Sequence, residues 1–358
     1  MMSKFKKILI IKLKFQGDVL LTTPVISALK AKYPDAEIDM MVYNSTVQII
    51  SENPHLHKIY GISDKKNSAL NKITNIFHTI SALRKNHYDL IVNLSSQKLL
   101  GFVIRCIPAR LKIGFTFGRQ KSSFWMNAFD KTLPDAGDHI VPQNVSILTL
   151  LDIDPVNTQT SMRYDIRHWQ RLKAKMDELG VTKEYVAIQP TARQIFKCWD
   201  NDKFAAVIDH LMGRGYDVIL TAGPGKEDAD IIDDIVRQCT YKPVTEFAGK
   251  TSFPELAALI DHAALFIGVD SAPGHIAAAV DTPVVCLFGA TKHRFWHPWT
   301  DKLELIWAGD YKPMPLRKDL DRSYRYLTCI PAEDVISAAD RMLAQYPVAK
   351  TLFNNNAE

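Results

Sequence analysis

The chain has 358 residues, a length that predicts two domains of roughly 150 residues each, and its 47% hydrophobic and 23% charged residues are typical of a globular protein. Its net charge of +5 suits an anionic ligand or a membrane surface. A nucleic-acid partner is not expected, because the positive charges look dispersed along the chain rather than gathered in one stripe.

The cysteines and the apolar runs predict a cytoplasmic protein. No two cysteines form a CxxC pair, so we expect reduced thiols at all five positions, which are Cys106, Cys198, Cys239, Cys286 and Cys329. The apolar run Ile8–Ile11 is too short for a signal peptide, and no stretch reaches the roughly 20 apolar residues of a membrane span. We therefore expect a soluble protein, or one attached to a membrane only at its surface.

The first half of the chain alternates predicted strands and helices. In chain order these are Ile8–Ile11, a helix through Lys32, Glu37–Val42, a helix near Thr46–Glu52, Ile73–Lys85, Leu90–Leu94 and a helix near Leu99–Cys106. Continuous Val, Ile and Leu strands between amphipathic helices predict a parallel sheet covered on both faces.

Asp18 stands directly after the first strand, in the segment Lys12–Asp18. Ligands of open α/β sheets bind outside the carboxyl ends of the strands, and a carboxylate at a helix start stays ionised. Gly17 would let the backbone approach a substrate closely. Asp18 is therefore a candidate general base, and a simple helix cap is the alternative that this segment leaves open.

The second half repeats the alternation after the polar stretch Asp152–Thr160, which is the best domain boundary. Its predicted elements are a helix to Leu179, Tyr185–Ile188, Asn201–Met212, Asp217–Thr221, Lys226–Cys239, Thr245–Phe247, Phe253–Asp261, Leu265–Val269, His275–Val280 and Val284–Phe288. A last helix over Ala332–Leu343 can pack on either domain. The sequence thus predicts two doubly wound α/β domains facing across a cleft.

Gly268–Ala279 is the strongest local signal in the second half. It follows an apolar strand, offers Ser271 as a cap and Pro273 in the first helical turn, and keeps small residues behind them. A helix start of this kind binds phosphate through its backbone N–H groups. With Asp270 and His275 at the same sheet edge, we favour an anion site over a plain strand-to-helix turn.

Three other segments carry weaker signals. The loop Gln189–Trp199 places a hydroxyl and two cations after a strand, where they could hold a diphosphate. Asp200-Asn-Asp202 resembles a DxD metal signature but starts a helix, which favours capping over metal ligation. Thr221–Glu227 is glycine-rich without the spacing of a P-loop, and Glu227 could bind ribose hydroxyls.

Taken in order, these segments resemble the lipopolysaccharide heptosyltransferases of glycosyltransferase family 9. The match runs from about Lys7 to Trp299 and rests on Gly17-Asp18 with Pro24 and Leu29 downstream, on Lys197-Cys-Trp199, and on Val269–His275. Lys14–Leu21, Ser51–Pro54 and Phe196–Trp199 look most like the type III branch, core heptosyltransferase III. Types I and II and other GT-B nucleotide-sugar transferases are the alternatives.

The resemblance implies the GT-B architecture, with an N-terminal acceptor domain over 1–158 and a C-terminal nucleotide-sugar domain over 159–330. The remaining residues 331–358 would form a helix and tail, with packing against the N-terminal domain as one option. The donor would be ADP-L-glycero-D-manno-heptose, and the acceptor a heptose of the lipopolysaccharide inner core. No cofactor or metal is expected.

The resemblance also implies roles for individual residues. Asp18 would deprotonate the acceptor hydroxyl in an inverting transfer, and Lys197 would stabilise the departing ADP together with Thr191 and the helix start at Ser271, Ala272, Gly274 and His275. Asp270 would hold sugar hydroxyls, Glu227 the ribose, and the backbone at Thr251 and Ser252 the adenine. Ala192 stands where relatives often have a second hydroxyl, and Gly274 where they often have a bulkier residue.

Several cations of the first domain could read a phosphorylated acceptor bearing two heptoses. Beside Gly17, these are Lys12, Lys14, Lys98, Arg119 and Lys121. The segment Arg110–Trp125 interleaves cations with aromatic residues, which predicts association with the cytoplasmic face of the inner membrane unless the aromatics are core. An epimerase, a non-catalytic carbohydrate-binding protein and a nucleic-acid binder remain as alternatives, and the oligomeric state stays open.

Overall fold

The computed structural model describes residues 5–64, 69–118, 122–154 and 157–347, and the chain divides into two compact domains between Met162 and Arg163. This boundary falls shortly after the predicted one at residue 158. Each domain is built on its own sheet, and every strand pair in both sheets is parallel.

The first domain has a six-stranded sheet in the order β3-β2-β1-β4-β5-β6. Its strands are β1 Lys7–Ile11, β2 Glu37–Tyr43, β3 Lys58–Ile62, β4 Tyr88–Asn93, β5 Ala109–Thr116 and β6 Lys131–Pro134. Its helices are α1 Gln16–Leu20, α2 Thr23–Lys32, α3 Ala69–Arg84, α4 Lys98–Cys106, α5 Ser123–Met126 and α6 Ile140–Ser146, with 3₁₀ turns at Asn44–Ile49 and Ile147–Leu151. The strand order reverses between β1 and β4, the point where doubly wound sheets bind ligands.

The second domain has a five-stranded sheet in the order β11-β10-β9-β7-β8. Its strands are β7 Tyr185–Gln189, β8 Asp217–Leu220, β9 Leu265–Val269, β10 Val284–Phe288 and β11 Leu303–Trp307. Its helices are α7 Ile166–Glu178, α8 Asn201–Gly213, α9 Lys226–Gln238, α10 Phe253–Asp261, α11 Ala272–Ala279, α12 His293–Trp296 and α13 Ala332–Gln345, with 3₁₀ turns at Ile195–Lys197, Ala308–Asp310 and Arg317–Asp319. Here the order reverses between β7 and β9.

The last helix, α13, belongs to the second domain. Val335, Ala339 and Met342 are buried in the core formed by β7 to β10 and α8, and His210 of α8 hydrogen-bonds to Asp340. Helix α13 thus packs on the second domain, one of the two options expected for it, and residues 348–358 of the predicted tail lie outside the described residues. An amphipathic helix packs its apolar side against a hydrophobic surface, and for α13 that surface is the core of the second domain.

Two other expectations need correction. The predicted strand Thr245–Phe247 is a turn, and only Val244 before it makes a single ladder contact with Ile219 of β8. The helix expected near Thr46–Glu52 is the short 3₁₀ turn Asn44–Ile49. No helix in the described part of the chain is long and apolar enough to cross a bilayer.

Candidate active site

An ion pair marks the reversal point of the second sheet. Asp270 directly follows β9, Lys197 ends the 3₁₀ turn after β7, and Lys197 Nζ lies 2.7 Å from Asp270 Oδ2. The Asp270 side chain is 9% exposed and that of Lys197 is 26% exposed. Two residues predicted separately from sequence thus meet at one edge, with the lysine still partly open to a ligand.

Thr291 completes the surroundings of Asp270. Its hydroxyl donates to the same oxygen, Asp270 Oδ2, at 2.7 Å. Among the described residues Oδ1 accepts no hydrogen bond, so it is free to accept one from a sugar hydroxyl. Thr291 is not among the residues predicted from the sequence, although its place three residues after β10, at the same carboxyl edge of the sheet, is a usable signal.

Thr191 is held beside this pair by a buried chain of hydrogen bonds. Thr221 Oγ1 donates to Gln189 Oε1 at 2.7 Å, and Gln189 Nε2 donates to Thr191 Oγ1 at 2.9 Å. Thr191 Oγ1 accepts in this chain, and its own proton has no acceptor among the described residues. The Thr191 hydroxyl can therefore donate to a phosphate oxygen. Ala192, the next residue, adds no hydroxyl.

The N-terminus of α11 lies next to Asp270, but Ser271 does not cap it. Ser271 Oγ instead donates back to the Val269 carbonyl at 3.1 Å, and no side chain caps the helix. The backbone N–H groups of Ala272 and Gly274 are therefore left without an intrahelical partner, which is the usual arrangement for anion binding. At Gly274 a Cβ would meet only ordinary contacts, the nearest being Pro298 Cγ at 3.5 Å, so a larger residue could also fit here.

His275 is a buried neutral imidazole. Burial lowers its pKa to about 4, although the carboxylate of Asp270 acts in the opposite direction. Its Nδ1 is buried and lacks a hydrogen-bond partner among the described residues. At neutral pH His275 can give or accept a hydrogen bond, but it adds no positive charge to the site.

The other predicted donor residues lie around the loop after β8. Glu227 is exposed in the first turn of α9. Gly249, with φ of +69°, brings the next segment against this loop, and a Cβ there would lie only 2.9 Å from the Gly223 carbonyl oxygen. Thr251 follows, and Ser252 caps α10 in a reciprocal pair with Glu255 that uses the Ser252 N–H. The Ser252 N–H is therefore already engaged, which leaves the backbone of Thr251 more available to a ligand than that of Ser252.

Of the two acidic residues at the start of α8, Asp200 is engaged in protein contacts, and Asp202 lies in the first helical turn. Asp200 pairs with Lys203 at 3.0 Å and accepts from the Thr328 hydroxyl at 2.9 Å, without capping the helix. In the ranges that the structure describes, no three His, Cys, Asp or Glu side chains are grouped to hold a metal ion.

Asp18 lies in the first turn of α1, at the reversal point of the first sheet. The N-cap of α1 is Phe15, so Asp18 is not the capping residue, and Gly17 lies within the same turn. Asp18 is partly exposed, and its carboxylate makes no hydrogen bond or ion pair with any described residue. A carboxylate that is anchored by its helix and not otherwise engaged can accept a proton from an incoming hydroxyl.

Lys12 is buried and lies near enough to Asp18 to interact with its charge, which changes the role expected for the lysine. The residue is 3% exposed, and its Nζ donates to Asn144 Oδ1 at 3.3 Å, while Asn144 Nδ2 donates to the Leu21 carbonyl after α1 at 3.0 Å. Burial lowers the pKa of Lys12 to about 8, although the nearby Asp18 raises it. Lys12 therefore supports the helix of Asp18 from inside, and a direct contact with a bulky acceptor is not supported.

The other predicted acceptor cations differ in their accessibility. Lys14 is partly buried beside β1, and Lys98 is exposed at the start of α4 after β4. Their loops are tied together, because the Leu13 N–H donates to Ser95 Oγ at 2.7 Å. Arg119 and Lys121 lie outside the described residues.

Most aromatics of the segment Arg110–Trp125 are core residues. Phe115 and Trp125 are buried, and Phe117 is partly buried with its ring against that of Trp125. The alternative left open for this segment is thus correct at these positions. Only Phe124 is largely exposed, at 47%.

Comparisons with known proteins agree with this geometry. Residues 76–327 match the model of glycosyltransferase family 9 (heptosyltransferase). The chain is 53% identical over 333 residues to the lipopolysaccharide heptosyltransferase 3 of Escherichia coli K12, covering 93% of this chain and 97% of that protein. It is 23% identical to the core heptosyltransferase OpsX of Haemophilus influenzae over 79% of each chain.

Solved structures show the same fold. A family 9 glycosyltransferase from Veillonella parvula matches with a TM-score of 0.84 at 22% identity, covering 96% of this chain and 99% of that one. The E. coli heptosyltransferase WaaC with ADP matches with a TM-score of 0.74 at 17% identity, covering 94% and 99%. The GT-B fold that the motifs implied is thereby confirmed, and the chain belongs to glycosyltransferase family 9, the heptosyltransferases.

Proposed function

We propose that this enzyme moves L-glycero-D-manno-heptose from its ADP derivative to a heptose of the lipopolysaccharide inner core, as a heptosyltransferase of type III. The observation that carries the proposal is the 53% identity to lipopolysaccharide heptosyltransferase 3, which extends over 93% of this chain and 97% of that protein. Relatives of types 1 and 2 are near 24% and 22% identity.

The donor would bind at the reversal point of the second sheet. Lys197, the Thr191 hydroxyl and the first N–H groups of α11 can all donate to a diphosphate, while Asp270 Oδ1 can accept from the sugar. Glu227 and the backbone at Thr251 and Ser252 would take the ribose and the adenine. Negative charge grows on the departing ADP in the transition state, so donors fixed before the reaction favour that state most.

The acceptor hydroxyl would lose its proton to Asp18 as its oxygen attacks the anomeric carbon. The bond from that carbon to the ADP oxygen breaks as the new bond forms on the opposite face, which inverts the configuration. Because Asp18 has no other partner among the described residues, the proton can be accepted without breaking a contact. The proposal assigns no step to a resident metal or cofactor.

The acceptor would be an inner core that already bears two heptoses, probed on its phosphate by Lys14 and Lys98. Since that acceptor is carried by a lipid, the enzyme would work as a peripheral protein at the cytoplasmic face of the inner membrane. The net charge of +5 favours contact with an anionic leaflet.

The test is a mass-spectrometric transfer assay with ADP-heptose and cores bearing no, one or two heptoses. We expect the mass of one heptose to be added only to the core with two. Efficient transfer to the core with none would favour type I, and transfer from another nucleotide sugar alone would contradict the proposed donor.

A further inference from the structure

One outer surface of the first domain combines exposed apolar side chains with cations. On helix α4, Leu99 is 54% and Phe102 39% exposed, and Lys98 and Arg105 lie on the same outward side at helical spacing. Phe124 from α5 joins them. We call this surface the α4 face, and it consists of Lys98, Leu99, Phe102, Arg105 and Phe124.

Two helices form the α4 face together, because α5 packs closely against α4. A Cβ at Gly101 would lie 3.3 Å from Phe124 Cε1 and 3.4 Å from Trp125 Cε3, so this glycine leaves the room that α5 needs. The Arg105 guanidinium lies 5.4 Å from the centroid of the Phe124 ring, and this cation–π contact holds the exposed ring beside the helix.

The stretch of sequence that carries the α4 face is rich in basic residues and poor in acidic ones. Between residues 65 and 129 the only acidic residue is Asp89, and it accepts hydrogen bonds from the N–H groups of Lys6 and Lys7 beside β1. The basic residues of this segment are Lys65, Lys66, Lys72, Arg84, Lys85, Lys98, Arg105, Arg110, Lys112, Arg119 and Lys121.

We propose that the α4 face docks the enzyme onto an anionic phospholipid bilayer. Leu99, Phe102 and Phe124 would enter the headgroup level, where aromatic and aliphatic side chains are stabilised, and Lys98 and Arg105 would contact lipid phosphates. A second copy of the chain is a poorer occupant, because a symmetric pairing would bring cations against cations. A nucleic acid would use the charge but gain nothing from the exposed apolar side chains on a helix.

The inference rests on the proposed function, because an acceptor that is carried by a lipid has to be reached at the membrane surface. Lys98 stands at the start of α4, after β4. It is thus beside the carboxyl edge of the first sheet, where the acceptor is proposed to bind. Docking through α4 would bring that edge close to the headgroups, where the core sugars of the acceptor begin.

Vesicle flotation with the full chain tests the proposal without donor or acceptor, and so independently of catalysis. The wild type should float with vesicles containing phosphatidylglycerol, more at low salt than at high salt, and much less with pure phosphatidylcholine. Leu99→Ser with Phe102→Ser should weaken binding about tenfold or more, and Arg105→Gln about fivefold. The matched control, Ile166→Ser with Leu316→Ser, removes two exposed apolar side chains of the second domain and should bind as the wild type does.

Melting temperatures close to that of the wild type would establish that the variants are folded. The Leu99→Ser, Phe102→Ser variant should process a lipid-free core oligosaccharide at the wild-type rate, but a vesicle-borne acceptor more slowly. Equal flotation of this variant and the wild type would overturn the proposal, as would no flotation of the wild type at low salt. Self-association that the variant abolishes, or binding to double-stranded DNA in place of vesicles, would overturn it as well.

Discussion

The two domains place a lysine and an aspartate at the reversal point of a parallel sheet, but they arrange the pair in opposite ways. In the second domain Lys197 and Asp270 are in direct contact at 2.7 Å, and the lysine is partly open. In the first domain Lys12 is buried against Asn144, and Asp18 is left without a hydrogen bond among the described residues.

The difference matches the roles proposed for the two sites. At the donor site Lys197 would reach a diphosphate, and Asp270 would keep the lysine oriented until the ligand arrives. At the acceptor site a general base needs carboxylate oxygens that are free to accept a proton, which is consistent with a neighbouring lysine that is buried in the core.

The largest expected effect comes from removing the free carboxylate. Asp18→Asn should lower kcat for heptose transfer by about 10²–10⁴-fold, because a positioned base contributes that much. ADP affinity, measured by calorimetry, should stay within a few-fold of wild type since the base belongs to the acceptor side. A variant with wild-type kcat would remove Asp18 from the mechanism.

Breaking the other pair should affect binding and chemistry together. Lys197→Ala leaves Asp270 unpaired beside a diphosphate, so kcat/KM should fall by about 10²–10³-fold and ADP should bind more weakly. Lys173→Ala, which opens the exposed pair with Asp177 on α7, is the matched control and should change neither. If ADP-heptose binds and reacts normally without Lys197, that residue is only a surface cation.

A smaller effect is expected when the acceptor loses its phosphate. A charge-assisted hydrogen bond contributes about 1.5–3 kcal/mol, so kcat/KM should fall about tenfold or more on the dephosphorylated core. Lys98→Ala should then cost less on that core than on the native one. The same rate on both acceptors would mean that the phosphate is not read.

The smallest change in activity, but a clear one in stability, is expected for Lys12→Met. The pKa of Lys12 is about 8 in the folded state and near 10.5 when unfolded, so at pH 7 the buried charge costs the folded state about 3 kcal/mol. This cost disappears as the pH rises from 8 to 10.5. After the loss of the bond to Asn144, the variant should be about 2 kcal/mol more stable at pH 7, with no advantage near pH 10.

Urea denaturation at both pH values measures this change, with Lys32→Met as the control, because Lys32 is an exposed lysine at the end of α2. The kcat of Lys12→Met should fall several-fold, because Asp18 loses its neighbouring cation and α1 loses part of its support. A variant that is destabilised equally at both pH values would show that Lys12 is an ordinary structural residue.

The parts of the fold that were predictable are those with continuous apolar runs. The buried strands β1, β2, β4, β7, β9 and β10 are of this kind, and all were expected. Strand β8 was expected as well, because it is apolar and buried from Val218 to Leu220 although it lies at a sheet edge. The strands β3, β6 and β11 are at sheet edges, where half-buried, mixed sequences lack that pattern, and β5 carries charges among its apolar residues. These four were missed.

The candidate sites were predictable where a residue follows a strand directly. Asp18, Lys197 and Asp270 all stand after strands, so their positions at the sheet edges could be expected. The burial of Lys12 could not be expected, because its partner Asn144 comes from α6, 132 residues further along the chain. Contacts of that kind depend on how helices pack, which local sequence does not encode.

The central claim is that one free carboxylate, Asp18, activates the acceptor for a single direct displacement at the anomeric carbon. The most direct measurement is the anomeric configuration of the newly added heptose, determined by NMR from the one-bond carbon–hydrogen coupling of the purified product. The account predicts the configuration opposite to that of the heptose in ADP-heptose. A product with the donor's own configuration would contradict it, because retention requires either a second displacement or attack from the same face as the leaving ADP, and a single displacement from the opposite face allows neither.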